Sequence, residues 1–287
     1  MTYICSAWNS EQLIALSQTT EVTAKSEKSV VKKLTVFNVY NPTSTEIIKE
    51  IDHGSSVNCV QFFPNGFMIA VGSKDKKIAV YNIGQKNQEI LSWRTHKASV
   101  LCLDISPFGD MIVSGDDDAM VVLLNVNDVS DIRILSHNPT WGAVGAIKFS
   151  HCGALVVVGD AKGVVHVFNS KQNLICEFVA HKKEINAIDF SHCTCGKGSQ
   201  ICTSLLITAS SDKTCKLFNI HALIKEQKTD PDIVLKHTLH VFATHQKEIY
   251  TACFVSGGRY VATGSRDKTV RIYDTEGGII MTSLILL

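Results

Sequence analysis

The sequence predicts an all-β fold built from one repeated unit of four short antiparallel strands. Across its 287 residues an apolar pair followed by Asn or Asp returns at intervals of about 43 to 55 residues. Alternating runs of Val, Ile and aromatic residues, divided by Gly, Asn, Asp and Lys, precede each return, and such runs are typical of β-strands. The repeated position is occupied by Phe37, Tyr81, Leu124, Phe168, Phe218 and Tyr273.

Each unit contains four strand-like runs in the same order. An opening run such as VNCVQFF is followed by one such as FMIAVGS, then by the run that ends in the aromatic residue, and then by an outer run such as EILSW. Four antiparallel strands in about 40–45 residues correspond to one blade of a β-propeller, in which stacked blades bury their shared faces. We therefore expect one β-propeller domain over residues 1–287, with blades at about 3–52, 53–95, 96–136, 137–180, 181–244 and 245–287.

Composition excludes several classes of function. The 28 basic and 27 acidic residues leave a formal net charge of +1, which gives no electrostatic reason to expect nucleic acid or an anionic membrane as a partner. No apolar run reaches the roughly 18 residues that a membrane span needs. The first residues, MTYICSAWNS, lack the features of a secretory signal, so the ten cysteines are expected to be reduced, in the cytoplasm or the nucleus.

Two units carry the repeat most completely, THKASVLCLDISPFGDMIVSGDDDAMVVLLN and THQKEIYTACFVSGGRYVATGSRDKTVRIYD. They resemble repeats of the WD-repeat family, in which a Gly-His pair opens and a Trp-Asp pair closes each repeat, and the resemblance covers essentially the whole chain. This chain departs from the pattern because Phe, Tyr or Leu replaces the closing Trp and the Gly before the histidine is absent. Lys162 in unit four and Val31 in unit one stand where the turn aspartate is expected.

The resemblance implies that a histidine in each blade hydrogen-bonds the turn aspartate and a strand hydroxyl. His, hydroxyl and acid could also suggest a hydrolase triad, but a catalytic centre is needed once and this set recurs. Because no nucleotide-binding loop or nucleophile elbow is present either, we expect a protein that is not an enzyme and has no cofactor. The predicted structural set is His53, Asp75, His96, Ser114, Asp118, His181, Thr208, Asp212, His245, Thr263 and Asp267.

The loops before the innermost strands and the loops with the turn aspartates should lie on one face of the propeller. We expect this loop face to bind other proteins or peptides, since Trp and Arg are enriched at interface hot spots. For Trp141, burial under the edge of a blade is an equally good interpretation. The predicted interaction residues are Lys74, Lys97, Asp117, Trp141, Lys183, Lys247 and Arg266.

The motif FSHC occurs twice, at 149–152 and 190–193, and a nine-residue insertion follows the second copy. Cys193, Cys195 and Cys202 are too irregularly spaced for a structural zinc site, so a solvated loop is expected. A small-ligand or metal-responsive sensor, using this loop or the central channel, is the alternative function.

Units four to six also resemble proteins that combine WD repeats with SAM and U-box domains, through KQNLICEFVAHKKEINAIDF and LLITASSDKTCKLFNI. That resemblance implies a platform that recognises substrates in ubiquitin transfer. The predicted function is thus a non-catalytic scaffold or adaptor, the substrate-recognition propeller of a ubiquitin ligase. The common ring of this family has seven blades. Either six blades close by packing their faces together, or, as we expect, the chain is a shortened product of a longer gene.

Two segments are longer than the repeat requires. The polar stretch Thr19 to Lys33 is expected to form a mobile loop. The stretch His221 to His240 lengthens the connection to the outer strand of unit five, and we expect a disordered insert there, with a docking element as the alternative.

Overall fold

The computed structural model describes residues 2–8, 13–24, 27–38, 47–83, 89–192, 204–226 and 230–285, with side chains at Ile51 and from His53 onward. In this part of the chain the strands form six antiparallel sheets of four strands each. Within every sheet the strands are hydrogen-bonded in chain order, so each sheet is one blade of the repeat, and the blades are numbered 1 to 6 along the chain. The predicted all-β class is confirmed.

Contacts divide the chain into two compact units, and the first unit is Met1–His137. Blade 1 consists of β1 (Thr2–Trp8), β2 (Leu13–Ala24), β3 (Glu27–Asn38) and β4 (Ile47–Asp52). Blade 2 consists of β5 (Val57–Phe62), β6 (Met68–Ser73), β7 (Ile78–Asn82) and β8 (Glu89–Trp93). Blade 3 consists of β9 (Val100–Ile105), β10 (Met111–Asp116), β11 (Met120–Asn125) and β12 (Ile132–His137).

The second unit is Asn138–Leu287. Blade 4 consists of β13 (Val144–Phe149), β14 (Leu155–Asp160), β15 (Val164–Asn169) and β16 (Leu174–Val179). Blade 5 consists of β17 (Ile185–Phe190), β18 (Leu205–Ser210), β19 (Cys215–Asn219), two helices, α1 (Ile220–Glu226) and α2 (Pro231–Lys236), and β20 (Thr238–Phe242). Blade 6 consists of β21 (Ile249–Val255), a short 3-10 turn (Ser256–Gly258), β22 (Tyr260–Ser265), β23 (Thr269–Asp274) and β24 (Ile280–Ile285). The prediction of a single domain over residues 1–287 stays a prediction.

Within each unit, neighbouring blades stack through their first two strands. In the first unit β5 packs against β1 and β9, and in the second β17 packs against β13 and β21. The second strand of a blade is covered on both faces, which is why β14 (LVVVGD) reads as a continuous apolar run with all six residues buried. The outer strands are more exposed, as in β12. The hydrophobic effect of these stacked faces holds the blades together, at about 25 cal/mol for each Å² of apolar surface buried.

Both predictions about the long segments are wrong for the residues that the structure describes. The stretch expected as a mobile loop extends the β2–β3 hairpin, whose strands pair as far as Ala24 opposite Glu27. Its β-branched Thr and Val residues favour such extension. The stretch from His221 to His240 forms most of α1, α2 and the start of β20, and residues 227–229 lie outside the described part.

No helix among the described residues is long and apolar enough to cross a membrane.

Candidate interaction surface and the hydrogen-bond sets behind it

Blades 5 and 6 contain the predicted histidine, hydroxyl and acid in contact. His181 Nδ1 lies 3.1 Å from Asp212 Oδ2 and its Nε2 lies 2.7 Å from the Thr208 hydroxyl. In blade 6 the corresponding distances from His245 are 2.9 Å to Asp267 and 2.7 Å to Thr263. The carboxylate accepts from Nδ1–H, and the hydroxyl donates to Nε2, so a single neutral tautomer satisfies both partners.

Blade 3 uses a different acid from the one that the sequence predicts. His96 Nδ1 lies 3.0 Å from Asp116 Oδ2, and its Nε2 lies 2.8 Å from the Ser114 hydroxyl. The prediction that Asp118 belongs to this set is wrong, because its carboxylate is 65% exposed and, among the described residues, its ionic partner is His137 Nε2, at 3.9 Å. Asp116 is fully buried at the end of β10 and also accepts the backbone N–H groups of Asp118 and Met120.

Blade 2 joins its histidine and acid through a serine. The Ser73 hydroxyl lies 2.9 Å from His53 Nε2 and donates to Asp75 Oδ1 at 2.5 Å. Since that hydroxyl proton is used, His53 Nε2 is the donor, and Nδ1 accepts from the Tyr81 hydroxyl at 2.7 Å. Asp75 is also held by the Arg94 guanidinium at 2.9 Å. The predicted pair His53 and Asp75 is therefore bridged by the serine hydroxyl.

In blade 4 a histidine on the third strand contacts the acid. His166 on β15 lies 3.3 Å from Asp160 Oδ2 and 2.8 Å from Glu177 Oε2. Asp160 occupies the position in β14 that Asp116 occupies in β10, and it likewise accepts two backbone N–H groups of the following turn. In blades 3 and 4 the acid has thus moved from the turn to the end of the second strand.

The prediction that Trp141 lies on an exposed interaction face is wrong. Its side chain is 8% exposed and stacks on the ring of His166, with 3.5 Å between ring centroids and 18° between planes. The Phe168 ring packs edge-on against the indole, with 6.2 Å between ring centroids. Trp141 thus covers the buried ring of His166 in blade 4. This agrees with the alternative interpretation, in which Trp141 is buried under the edge of a blade. From sequence, only the apolar character of Trp signals this contact.

Burial and hydrogen bonding shift the pKa values of the buried His and Asp side chains in opposite directions. Burial lowers the pKa of His181 below the ordinary value of 6.5, and the nearby Asp212 carboxylate only partly opposes it. Burial also disfavours the charge of Asp212, but the hydrogen bonds from His181 and Thr214 outweigh it and hold the pKa of that carboxyl well below its usual range. His181 is therefore neutral and Asp212 ionised near pH 7, which fits the hydrogen-bond directions in blade 5.

Hydrogen bonds from asparagine side chains join adjacent blades, and they were not predicted from the sequence. The Asn58 amide donates to the carbonyl oxygen of Val100, from blade 2 to blade 3, at 2.8 Å. Asn186 does the same from blade 5 to the carbonyl of Ile249, at 2.7 Å. In blade 4 the equivalent residue is Gly145, where any Cβ would lie 2.3 Å from the carbonyl oxygen of Ile185. At this position the residue type sets how closely the next blade approaches.

The other predicted interaction residues lie in the loops before first strands or after second strands. All six side chains are exposed: Lys74, Lys97, Asp117, Lys183, Lys247 and Arg266. In blades 2 to 6, backbone hydrogen bonds hold the two kinds of loop together at one end of the blade, as between Lys74 N and the carbonyl of Ser56 and between Arg266 N and that of Glu248. Whether these residues bind a partner stays a prediction.

The loop end of the second unit, defined as residues 181–184 and 211–214 of blade 5 with 245–248 and 266–269 of blade 6, is positively charged. Its acids are already engaged, since Glu184 accepts from Ser211, Glu248 faces Arg266, and Asp212 and Asp267 accept from the histidines. Its exposed cations are Lys182, Lys183, Lys213, Lys247, Arg266 and Lys268.

The metal alternative gains no support from the described residues, which contain no group of three His, Cys, Asp or Glu side chains placed to hold an ion. The two FSHC motifs do meet, with the rings of His151 and His192 4.9 Å apart. Cys193, Cys195 and Cys202 lie outside the described residues.

The repeat defines the class of this protein. The family described as WD domain, G-beta repeat matches residues 45–82, 87–125, 172–219 and 236–274, which together make up more than half of the chain. The chain belongs to this WD-repeat family, whose members are β-propellers that act as scaffolds for protein interactions, so the predicted fold class is confirmed. The matched ranges leave out 126–171, which contains the first three strands of blade 4, with Asp160 and His166.

Among curated proteins the chain is 24% identical, over 86% of its own length, to "DDB1- and CUL4-associated factor 11 homolog" of Caenorhabditis elegans, of which it covers 44%. It is 27% identical over 46% of its length to "Pre-rRNA-processing protein IPI3" of Meyerozyma guilliermondii, covering 28% of that protein. It is 29% identical over 49% of its length to "Pre-rRNA-processing protein crb3/ipi3" of Schizosaccharomyces pombe, covering 30% of it. The chain spans less than half the length of these relatives.

Proposed function

We propose that this protein is a non-catalytic adaptor that binds an acidic segment of a partner protein at the loop end of its second unit. The observation that carries the proposal is the charge of this surface, where six exposed cations outnumber four acids among the described loop residues. Complementary charge raises the rate of association and selects partners of opposite sign. The partner is a protein, and neither nucleic acid nor a membrane is part of the proposal.

The finer proposal is that the adaptor selects substrates for a ubiquitin ligase. Support comes from the relative named for association with DDB1 and CUL4, since its alignment with this chain extends over 86% of the chain and so across both units. In this role the propeller recognises the substrate, and other subunits carry out the transfer.

The loop-end proposal is tested with a defined acidic probe. The wild-type chain is titrated with a peptide of alternating Glu and Ser and with its Gln-Ser counterpart, and the Kd is measured by calorimetry. We expect the double variant Lys182→Glu, Lys247→Glu to weaken binding of the acidic peptide at least tenfold. The matched control is Lys171→Glu, an exposed lysine at the opposite end of blade 4. Equal loss in the control variant, or equal affinity for both peptides, would overturn the proposal.

The ubiquitin-ligase proposal is tested with purified DDB1 as the probe. Co-elution of the two proteins in size-exclusion chromatography at stoichiometric ratio is the expected result. Absence of a complex at micromolar concentration contradicts this finer role and leaves the acidic-peptide result to decide the adaptor proposal.

A further inference from the structure

A groove runs along the outer side of the second unit, between blade 4 and the helical insertion of blade 5. Its volume is about 420 Å³. One wall is the end of β16, and the other is formed by α2 and the start of β20. The lining residues are Val179, Lys216, Pro231, Val234, Leu235 and Thr238.

The helical wall is held firmly in place. Val234 of α2 is buried in one hydrophobic cluster with Ile220 and Leu223, and this cluster continues into the core between blades 4 and 5. The Asp230 side chain caps α2 by accepting from the backbone N–H of Ile233 at 3.1 Å. The Thr238 hydroxyl donates to the Val234 carbonyl oxygen at 2.7 Å and ties the helix to β20. The groove is therefore a preformed feature of the fold.

Two large aliphatic side chains stand exposed on its walls. Val179 is 67% exposed and Leu235 is 71% exposed, although both line the same groove. Burying such a side chain contributes about 1.5–3 kcal/mol, so an apolar group placed between them would bind favourably.

The groove also contains a cation with unused hydrogen-bonding capacity. The half-buried Lys216 ammonium donates to the carbonyl oxygen of Ala180 at 2.6 Å, its one hydrogen bond among the described residues. Burial lowers its pKa, and Asp212, which acts in the opposite direction, is engaged by His181 and Thr214. Lys182 adds a second positive charge close enough to act on Lys216. Such a site is complementary to a carboxylate.

We propose that this groove binds a segment of a partner protein that places a large aliphatic side chain between Val179 and Leu235 and a nearby Asp or Glu carboxylate on Lys216. The proposal rests on the adaptor role only in that the partner is a protein, and its surface is distinct from the loop end tested above. It assigns a role to the insertion of blade 5, which the repeat itself does not need.

The probe is a random 12-residue peptide library displayed on phage and selected on the full chain. We expect the enriched peptides to carry Leu, Ile, Met or Phe within two residues of Asp or Glu. For a synthetic peptide of the enriched sequence, Leu235→Ser and Lys216→Gln should each raise the Kd at least tenfold. Lys216→Arg should keep binding within about threefold, since it preserves the charge. Thermal unfolding of each variant checks that it is folded.

The matched control is Ile134→Ser, which removes a 60% exposed aliphatic residue from the outer strand of blade 3 and should leave the Kd unchanged. Enriched peptides without an acidic residue, or binding that Lys216→Gln does not weaken, would overturn the proposal. A chain that dimerises in light scattering and becomes monomeric in Leu235→Ser would overturn it as well, because a second copy would then occupy the groove. The single loop-end variant Lys247→Glu keeps Lys182, and so the positive charge beside Lys216. It should not affect this peptide, so the two proposals fail separately.

Discussion

Asp116 and Asp118 are two residues apart in blade 3, yet only one of them touches the histidine. We expect Asp116→Ala to lower the free energy of unfolding by about 3–5 kcal/mol, since it leaves His96 buried without its acid and removes the acceptor for two backbone N–H groups. Asp118→Ala should change it by less than about 0.5 kcal/mol, because that side chain is exposed. Urea denaturation measures both, and equal effects would contradict the assignment.

The buried histidines also make stability depend on pH. The pKa of His181 is lowered in the folded state, so below about pH 6.5 the unfolded chain binds a proton more readily and the folded state loses stability. His53 acts in the same direction because burial lowers its pKa too. Each contributes a slope of at most about 1.4 kcal/mol per pH unit.

We therefore expect the urea midpoint to fall between pH 7 and pH 5, and to fall less in His181→Asn than in the wild type. A further loss should follow below about pH 4, where the unfolded chain protonates at Asp212, whose folded-state pKa is depressed. A midpoint that is independent of pH between 7 and 5 would show that the folded state accepts the charge on these rings.

At the residue scale, the recurring His and acid of blades 5 and 6 could be predicted because every member of the set is present at its repeat position. Blade 3 could not be resolved, since Asp116, Asp117 and Asp118 are adjacent and only the three-dimensional path of β10 decides which one is buried. Trp141 was open to two interpretations because its partner, His166, is distant in sequence and belongs to no repeated pattern.

At the scale of the element, the turn between the second and third strands has a left-handed residue in each of blades 2 to 6. Gly163 takes this position in blade 4 at φ +82°, and a Cβ there would lie 2.3 Å from the carbonyl oxygen of His181. We expect Gly163→Ala to destabilise the fold by about 2–4 kcal/mol through backbone strain and this clash.

The control for that prediction is Gly54→Ala. Gly54 has a similar φ of +73°, but a Cβ added there would meet no atom within 4 Å, so only the backbone strain of about 1 kcal/mol should appear. Thermal unfolding compares the two variants. Equal shifts in Tm would mean that the backbone at His181 moves away from the new Cβ with little loss of stability.

The strands were predictable from their alternating β-branched residues, but the helices of blade 5 were not. The sequence HALIKEQKTDPDIVLKHTLH is polar overall and contains Pro, which suggests disorder. Its apolar residues Leu223 and Val234 become buried only because the core between blades 4 and 5 offers a surface for them. That surface is formed by residues distant in sequence.

At the scale of the whole molecule, the two proposed surfaces should respond differently to salt. Exposed lysines at the loop end are screened within about 8 Å at physiological ionic strength, so binding of the acidic peptide should weaken strongly between about 50 and 500 mM NaCl. Binding in the groove should weaken less, because apolar burial supplies much of it and Lys216 is half-buried. Calorimetric titrations at several salt concentrations test this, and parallel salt dependence would contradict it.

The class of fold and the repeat were predictable from the sequence because every blade repeats the same four runs, and even weak signals add up over six copies. The candidate interaction surface was predictable only as a set of loops. The excess of positive charge comes from the loops of blades 5 and 6 together, with six cations against four acids, and no single repeat shows it.

In blades 3 and 4 the residue at the turn position does not hold the buried histidine. In blades 5 and 6 the turn acids Asp212 and Asp267 are tied to the histidines, and a mutation there disturbs the fold. In blades 3 and 4 the buried Asp116 and Asp160 contact the histidines instead, so substitutions at 118 and 162 should cost little stability. The loop surface can therefore change at these two positions with little effect on folding, whereas a change at Asp212 or Asp267 would also remove the partner of a buried histidine.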